Sequence, residues 1–378
     1  MRKPITPHQM NLHTSQIVEV YESLESEILV QVAKRIKSHG VEDLTEWHVD
    51  KLKQLNLLNR DIEHYLSKAT GVARHEIRGA IEANGYRVVK DTDEYMKEAG
   101  RTPLVAESID PVMESYINQT FLEIDNYVNQ TLITTNFGTG TVTKMYQDII
   151  NKTVAKQSAG LMTLDEAIED TIMQWVDKGV PSSFIDRGGH TWNIDRYVET
   201  VLKSTNARIY NDLRTSRMDE YGVHTVLVSS KPNSRESCSH IQGQVVDVRE
   251  PHLSDGKYPN IHDYGYGTPA GHRGINCGHQ WFPFIPGVNT NNQPQYDARE
   301  AQEAEAVEQR RKSIARRIKN TKRKIMVAEA LESDSVGRYK KLLRRQQAEM
   351  RDYISETGLR RNYRLEKVYT PVETLLNE

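Results

Sequence analysis

The densest group of potential metal ligands lies between positions 238 and 279. Cys-x-His occurs twice, as Cys238-Ser239-His240 and Cys277-Gly278-His279, and His272 precedes the second pair. Residues i and i+2 of an extended segment share a face, so each pair can direct two ligands to one point. Structural zinc takes four thiolate or imidazole ligands. A structural zinc site is therefore one interpretation, and its candidate ligands are Cys238, His240, His272, Cys277 and His279.

The same residues allow other interpretations. The spacing differs from the usual Cys-x2-Cys knuckle, and the two cysteines can equally be small buried hydrophobic residues among hydrogen-bonded histidines. A disulfide or a catalytic thiol is a further alternative. Since no secretory signal follows Met1, we expect free thiols or metal ligands rather than a disulfide.

Histidines and acids crowd this region, which raises the question of catalysis. The histidines are His224, His240, His252, His262, His272 and His279. A nuclease could use one of them with an acid for proton transfer, but no catalytic spacing stands out. The loop Tyr264–His272 is glycine-rich, yet it lacks the Lys-Ser/Thr of a phosphate-binding loop, so we interpret it as tight turns. We predict no enzyme, and the alternative is a nuclease or toxin-like enzyme with its site in residues 222–287.

Positive charge is concentrated near the C-terminus. Nine cations and no acid lie between Gln309 and Ile325. Such a run is commonly a solvated helix face. Like charges at i,i+4 destabilise a helix, however, so we expect an anionic partner, either double-stranded DNA or an acidic protein surface. No element resembles a base reader, so a DNA contact should be independent of sequence. The predicted contact residues are Arg310, Arg311, Lys312, Arg316, Arg317, Lys319, Lys322, Arg323, Lys324, Arg344 and Arg345.

Hydrophobic periodicity indicates the elements that position these residues. Helical spacing predicts helices over 15–39, 49–69, 71–84, 108–133, 142–157, 164–178 and 194–220. After Gly222 the pattern becomes β-rich and predicts strands over 223–228, 244–248 and 281–285, the last at an edge because of Pro283. A polar linker, 288–297, then leads to two charged helices, 298–331 and 335–357, that form a hairpin.

The predicted fold class is therefore mainly α. A long N-terminal helical region (1–105) and a helical core (106–221) precede a small α+β Cys/His/Gly module (222–287). The linker (288–297) and a basic helical hairpin with its tail (298–378) complete the chain.

Composition sets further limits. Of 378 residues 37% are hydrophobic and 27% are charged, and the mean hydropathy is −0.67. Such values suit helices exposed on several sides and a fold that a partner completes. The net charge of −2 argues neither for nor against nucleic acid. No apolar run reaches the length of a membrane span, so we expect no membrane contact.

The order of short motifs resembles one known family. Helical Arg208-x5-Arg214 is followed by Val226-x-Val228-Ser229, Cys238, Gln242-Gly243-Gln244-Val245, Tyr264-Gly265, Gly271-His272, Asn276-Cys277-Gly278-His279 and Pro283-Phe284-Ile285-Pro286-Gly287. This order is similar to that of the phage minor capsid protein 2 family. More distantly it resembles the Mu F-like head morphogenesis proteins, whose core ends in a related Asn-Cys-x-Cys/His segment.

The resemblance implies a structural minor capsid protein of a tailed bacteriophage. The resemblance implies that such a protein binds the portal or the inner capsid surface, so its expected partners are the portal protein, the major capsid protein and the double-stranded genome, which it contacts or accompanies on ejection. Its place is the virion, at the capsid interior or the portal vertex, and the host cytoplasm during assembly. The family's Cys/His positions match Cys238, His272, Cys277 and His279, and the family supplies no catalytic residues.

Overall fold

A computed structural model of the chain describes residues 5–41, 43–103, 108–135, 138–160, 162–268, 270–274 and 277–368. Four predicted features lie outside these residues. They are Pro269 of the glycine-rich loop, Asn276 of the second Cys-x-His motif, the boundary at 105/106 and the tail after 368.

Helices make up most of the described chain. Their bounds are α1 (Pro7–His13), α2 (Ser15–Ile36), α3 (Leu44–Glu98), α4 (Asp110–Ile124), α5 (Gln130–Ile133), α6 (Thr141–Ser158), α7 (Leu164–Lys178), α8 (Ile194–Asp219), α9 (Glu236–Ser239), α10 (Ala298–Leu331) and α11 (Val336–Thr357). A π-helical turn, Asp125–Asn129, joins α4 to α5. The predicted mainly α class is confirmed.

The two helices predicted over 49–69 and 71–84 form one helix, α3. Gly85, where we expected a helix end, lies inside it. A Cβ atom at this position would lie 2.5 Å from Met113 Sδ and 3.2 Å from Leu213 Cδ1. The glycine therefore makes room for neighbouring helices to approach closely, and this requirement outweighs its low helix propensity.

A small antiparallel sheet follows α8, as the sequence predicts. The strand order is β6-β5-β7, in which β5 is Thr225–Val228, β6 is Val245–Asp247 and β7 is Trp281–Pro283. In the central strand, Val226 pairs with Val246 on one side and with Pro283 on the other. Proline thus lies on an edge strand, where its missing N–H breaks no ladder hydrogen bond.

Two short hairpins escaped the sequence analysis. Strands β1 (Thr134–Thr135) and β2 (Gly138–Thr139) pair antiparallel, as do β3 (Pro181–Ile185) and β4 (Thr191–Asn193). Their lengths of two to five residues are too short for alternation to be visible in the sequence.

The chain divides into two compact units, each made of three segments. Unit 1 comprises Met1–Gln16, His75–Phe121 and Glu199–Gln309, and unit 2 comprises Ile17–Arg74, Leu122–Val198 and Arg310–Glu378. In unit 1 the sheet and the ends of α3 and α8 share a core. Its buried members include Met96, Met218, Tyr221, Val226, Val228, Val246, Ile261 and Trp281. The five consecutive regions inferred from the sequence stay a prediction.

In unit 2 the predicted helical hairpin is present. Ile314, Ala315 and Ile318 of α10 form a core with Met350 of α11, and Leu343, Tyr353, Ile354 and Leu365 pack against it. The apolar stripe on each helix is narrow, so most of the surface of both helices stays polar.

Candidate functional site

Four of the five predicted metal ligands converge in unit 1. Cys238 lies on α9, between β5 and β6, and Cys277 and His279 lie on the segment that enters β7. The glycine-rich loop delivers His272, whose backbone N–H donates to the Tyr264 carbonyl at 3.1 Å. The interpretation of this loop as tight turns agrees with its Thr268 hydroxyl, which donates to the Gly265 carbonyl at 2.8 Å.

The distances in this Cys/His group fit a tetrahedral metal. One ligand atom from each of Cys238, His272, Cys277 and His279 lies within 4.8 Å of all the others. The two Sγ atoms are 3.7 Å apart, and Cys277 Sγ lies 3.7 Å from His279 Nδ1. Bond lengths of about 2.3 Å to sulfur and 2.0–2.1 Å to nitrogen give tetrahedral edges of about 3.8 Å and about 3.6 Å. The donor set therefore fits zinc without rearrangement of these two edges.

The group is enclosed by protein. Cys238 and His272 are at most 1% exposed, His279 is 4% exposed and Cys277 is 9% exposed. Four protein ligands in a buried setting match structural zinc sites, whereas catalytic sites keep a coordination position open for water or substrate.

His272 can offer Nδ1 to a metal once the ring proton has moved from Nδ1 to Nε2. The Trp281 indole N–H donates to its Nε2 at 3.0 Å, while its buried Nδ1 has no hydrogen-bond partner. Burial lowers the pKa of His272 to about 3, so the ring is neutral. Buried polar atoms are nearly always satisfied, so the lone Nδ1 is an observation that a bound metal would explain.

Gln242 supports His279 from the opposite side of its ring. His279 Nε2 lies 3.4 Å from Gln242 Oε1, and the same oxygen accepts the Lys231 backbone N–H at 3.0 Å. Histidines that bind zinc normally donate their second N–H to such a carbonyl oxygen, which fixes the tautomer. This role of Gln242 was not predicted, although the residue belongs to the motif Gln242-Gly243-Gln244-Val245.

The thiols of Cys238 and Cys277 have pKa values shifted in opposite directions. The hydrogen bond between their Sγ atoms holds the pKa of Cys277 well below its usual range and raises the pKa of Cys238. His279 lowers the pKa of Cys277 further. A thiolate is the form of cysteine that binds metal, so the site is prepared for a cation.

His240, the fifth predicted ligand, is exposed and lies outside the group. The other histidines of the module, His224, His252 and His262, also lie outside the Cys/His group of the described residues. His224 Nδ1 lies 2.9 Å from Asp219 Oδ1, and His262 Nε2 lies 4.0 Å from Glu250 Oε2.

Several of the predicted basic contact residues have anionic partners inside unit 2. Lys319 Nζ lies 2.7 Å from Glu22 Oε1 and 3.1 Å from Asp195 Oδ2. Arg317, Arg323 and Lys324 pair with Glu349, Glu25 and Asp177, respectively. Lys322 and Arg311 instead donate to the backbone carbonyls of Glu366 and Arg360.

Arg323 is the centre of a buried ionic cluster. It is 6% exposed and lies 2.7 Å from Glu25 Oε2 and 3.2 Å from Asp195 Oδ2. Burial raises the pKa of Glu25 to about 7, and Glu25 Oε1 accepts the Val180 backbone N–H at 2.8 Å. Although burial opposes it, the attraction of Lys319 and Arg323 lowers the pKa of Asp195 to about 2. Part of the expected anionic partner is thus intramolecular.

The remaining predicted cations stay at the surface. Arg310, Arg316, Arg344 and Arg345 are exposed, Lys312 is half-buried, and the Arg310 guanidinium lies 5.4 Å from the centre of the Tyr353 ring. Helical spacing places Lys341 and Arg351 on the same face of α11 as Arg344. We call Lys341, Arg344, Arg345 and Arg351 the basic stripe. Arg351 escaped the sequence analysis, although its position seven residues after Arg344 was a visible signal.

Within the described ranges, no helix is long and apolar enough to cross a bilayer. This finding agrees with the low hydropathy of the sequence.

Comparison with known proteins places the chain in a family. Residues 5–355 match the family described as phage minor capsid protein 2. A structural protein of Lactococcus phage LL-H is 34% identical over 345 residues, which cover 89% of this chain and 93% of that protein. A structural protein of Lactococcus phage mv4 is 38% identical over 114 residues, which cover 30% of this chain and 93% of that protein. No solved structure matches. The match over nearly the whole sequence confirms the predicted resemblance, and the chain belongs to the phage minor capsid protein 2 family.

Proposed function

We propose that the chain is a non-enzymatic component of the phage head, bound to the portal protein or the major capsid protein at the inner face of the capsid. The family match over residues 5–355 carries this proposal, and both relatives are described as structural proteins. The burial of His272 and His279 argues against these two histidines as the general acid or base of a nuclease, because such a group must reach its substrate.

We further propose that the basic stripe contacts the packaged genome. Its four side chains are exposed, and none has an ion pair with a described residue. From Lys341 to Arg351 the helix rises about 15 Å, close to the axial length of four base pairs of DNA. Contacts of this kind reach phosphates and carry no sequence information.

The test of this contact is DNA binding across a range of salt concentrations. Removing the stripe with Lys341→Ala, Arg344→Ala, Arg345→Ala and Arg351→Ala should weaken binding equally for unrelated sequences. The slope of log affinity against log salt should fall by about three to four, since each phosphate contact contributes about 0.9. The matched control removes four exposed cations elsewhere, with Lys53→Ala, Arg60→Ala, Lys68→Ala and Lys144→Ala. Equal losses in both variants, or none in the stripe variant, would contradict the proposal.

For the Cys/His group we propose a structural Zn²⁺ held by Cys238, His272, Cys277 and His279. The tetrahedral edges and the unpartnered Nδ1 of His272 support it. Bound zinc would cross-link α9, the glycine-rich loop and the segment before β7, and its binding free energy would stabilise this part of the fold.

Metal analysis of protein purified without chelator tests the zinc proposal. The expected result is one zinc per chain, loss of zinc in Cys277→Ser, and full retention in His240→Ala, which changes an exposed histidine of the same module. Less than about half an equivalent in the unaltered chain would refute the site.

A further inference from the structure

The segment expected to be a polar linker is bound to unit 1 through alternate side chains. Asn289, Asn291, Gln293 and Gln295 are each two residues apart, and alternate residues of an extended segment share a face. Asn289 Oδ1 accepts the Ile285 N–H at 2.7 Å. We call these four residues the amide strap.

The other three strap residues bind the loop that carries Cys238. Asn291 Nδ2 and Gln295 Nε2 donate to the Gly243 carbonyl, at 2.6 Å and 3.1 Å. Gln293 Oε1 accepts the Ser230 backbone N–H at 2.9 Å. The strap therefore closes on both ends of the segment Ser230–Gly243.

Gly243 is the point of closest approach. Its φ of +73° favours glycine, and a Cβ atom there would lie 2.7 Å from Gln295 Nε2 and 2.8 Å from Ser230 Oγ. A larger residue at 243 would have to displace the ends of these two side chains, and the positive φ would strain it.

The same loop also binds the start of α10. The Ser234 backbone N–H donates to the Ala301 carbonyl at 3.1 Å, and Gln302 Nε2 donates to Ser239 Oγ at 3.3 Å. Asn233 Nδ2 adds a hydrogen bond to Glu305 Oε2 at 3.2 Å. The segment 230–243 thus holds a metal ligand, the strap and the first turns of α10.

We infer that Gln242 is a positioning residue that couples the Cys/His group to the amide strap, so that metal binding fixes the strap and the start of α10. This inference rests on the proposed zinc site. A metal on His279 Nδ1 leaves the ring proton on Nε2, which then donates to Gln242 Oε1. Without metal the proton can lie on Nδ1, which faces Cys277 Sγ, and the link to Gln242 is lost.

Hydrogen exchange on the zinc-loaded chain tests this coupling. Gln242→Ala should raise the exchange rate of peptides covering 285–305 by about fivefold, which corresponds to about 1 kcal/mol of lost stabilisation. Peptides from 205–219 in α8 should exchange as before. The matched control is Gln244→Ala, which removes an exposed amide two residues away and should change nothing.

The outcomes separate the two proposals. A chain that holds no zinc refutes the metal site and with it the coupling. If Gln242→Ala keeps its zinc and its strap exchanges as in the unaltered chain, the metal site stands and the coupling is refuted. If Gln242→Ala loses its zinc, the coupling is tested instead by comparing hydrogen exchange in the unaltered chain with and without zinc. Faster strap exchange after metal removal supports the coupling, and unchanged exchange overturns it.

Discussion

At the residue scale, the hydrogen bond from Trp281 to His272 makes a prediction about metal binding. The indole N–H donates to Nε2, so the neutral ring carries its proton on Nδ1. A metal on Nδ1 moves that proton to Nε2, where it faces the indole N–H, and two donors repel. We expect this contact to open when zinc binds.

The measurement is tryptophan fluorescence with and without zinc. The emission of Trp281, which is 1% exposed, should change between the two states. The difference should disappear in Trp281→Phe, whereas Trp175→Phe should retain it because Trp175 lies in unit 2. Identical emission in loaded and metal-free protein would contradict metal binding through Nδ1.

How far the sequence predicts these ligands depends on local backbone conformation. Cys277 and His279 lie on a non-helical segment and stay together, as the i,i+2 pattern requires. Cys238 lies at the end of the short helix α9, where a residue two positions later points to a different side. This geometry turns His240 outward, and a four-residue helix leaves too little pattern to be predicted.

At the element scale, the buried ionic cluster predicts how α10 is fastened within unit 2. Arg323→Ala leaves Glu25 and Asp195 buried without their shared cation. Breaking a buried ion pair on one side costs about 3–5 kcal/mol, so the free energy of unfolding should fall by that amount.

Chemical denaturation followed by circular dichroism measures this loss. The control is Arg316→Ala, an exposed arginine on the same helix, which should change the free energy of unfolding by less than about 0.5 kcal/mol. Equal effects of the two substitutions would show that the buried ionic cluster contributes no more to the free energy of unfolding than an exposed arginine does.

The sequence predicted that the cations of α10 have an anionic partner, but it did not predict which carboxylates these are. The excess of positive charge in 309–325 predicted an anionic partner. For Arg323 the carboxylates of Glu25 and Asp195 supply it. Glu25 is 298 residues away from Arg323, and local sequence patterns do not predict contacts between residues that far apart. The same holds for Gly85, because its close approach to Met113 cannot be predicted from helical periodicity.

At the scale of the whole molecule, the fold class and the family could be predicted from the sequence. Long amphipathic repeats predicted the helices, and the order of small motifs between 226 and 287 predicted the family. The composition of each unit from three separate segments depends on contacts between residues far apart in the chain. Hydrophobic periodicity describes one element at a time and therefore does not reveal them.

The central claim is that this chain is a built-in component of the phage head. Quantitative mass spectrometry of purified virions and of DNA-free heads tests it most directly. We expect the chain at a fixed ratio to the portal protein in both kinds of particle, because a structural head protein is incorporated during assembly. Its absence from purified heads, with the protein remaining in the lysate, would contradict the account.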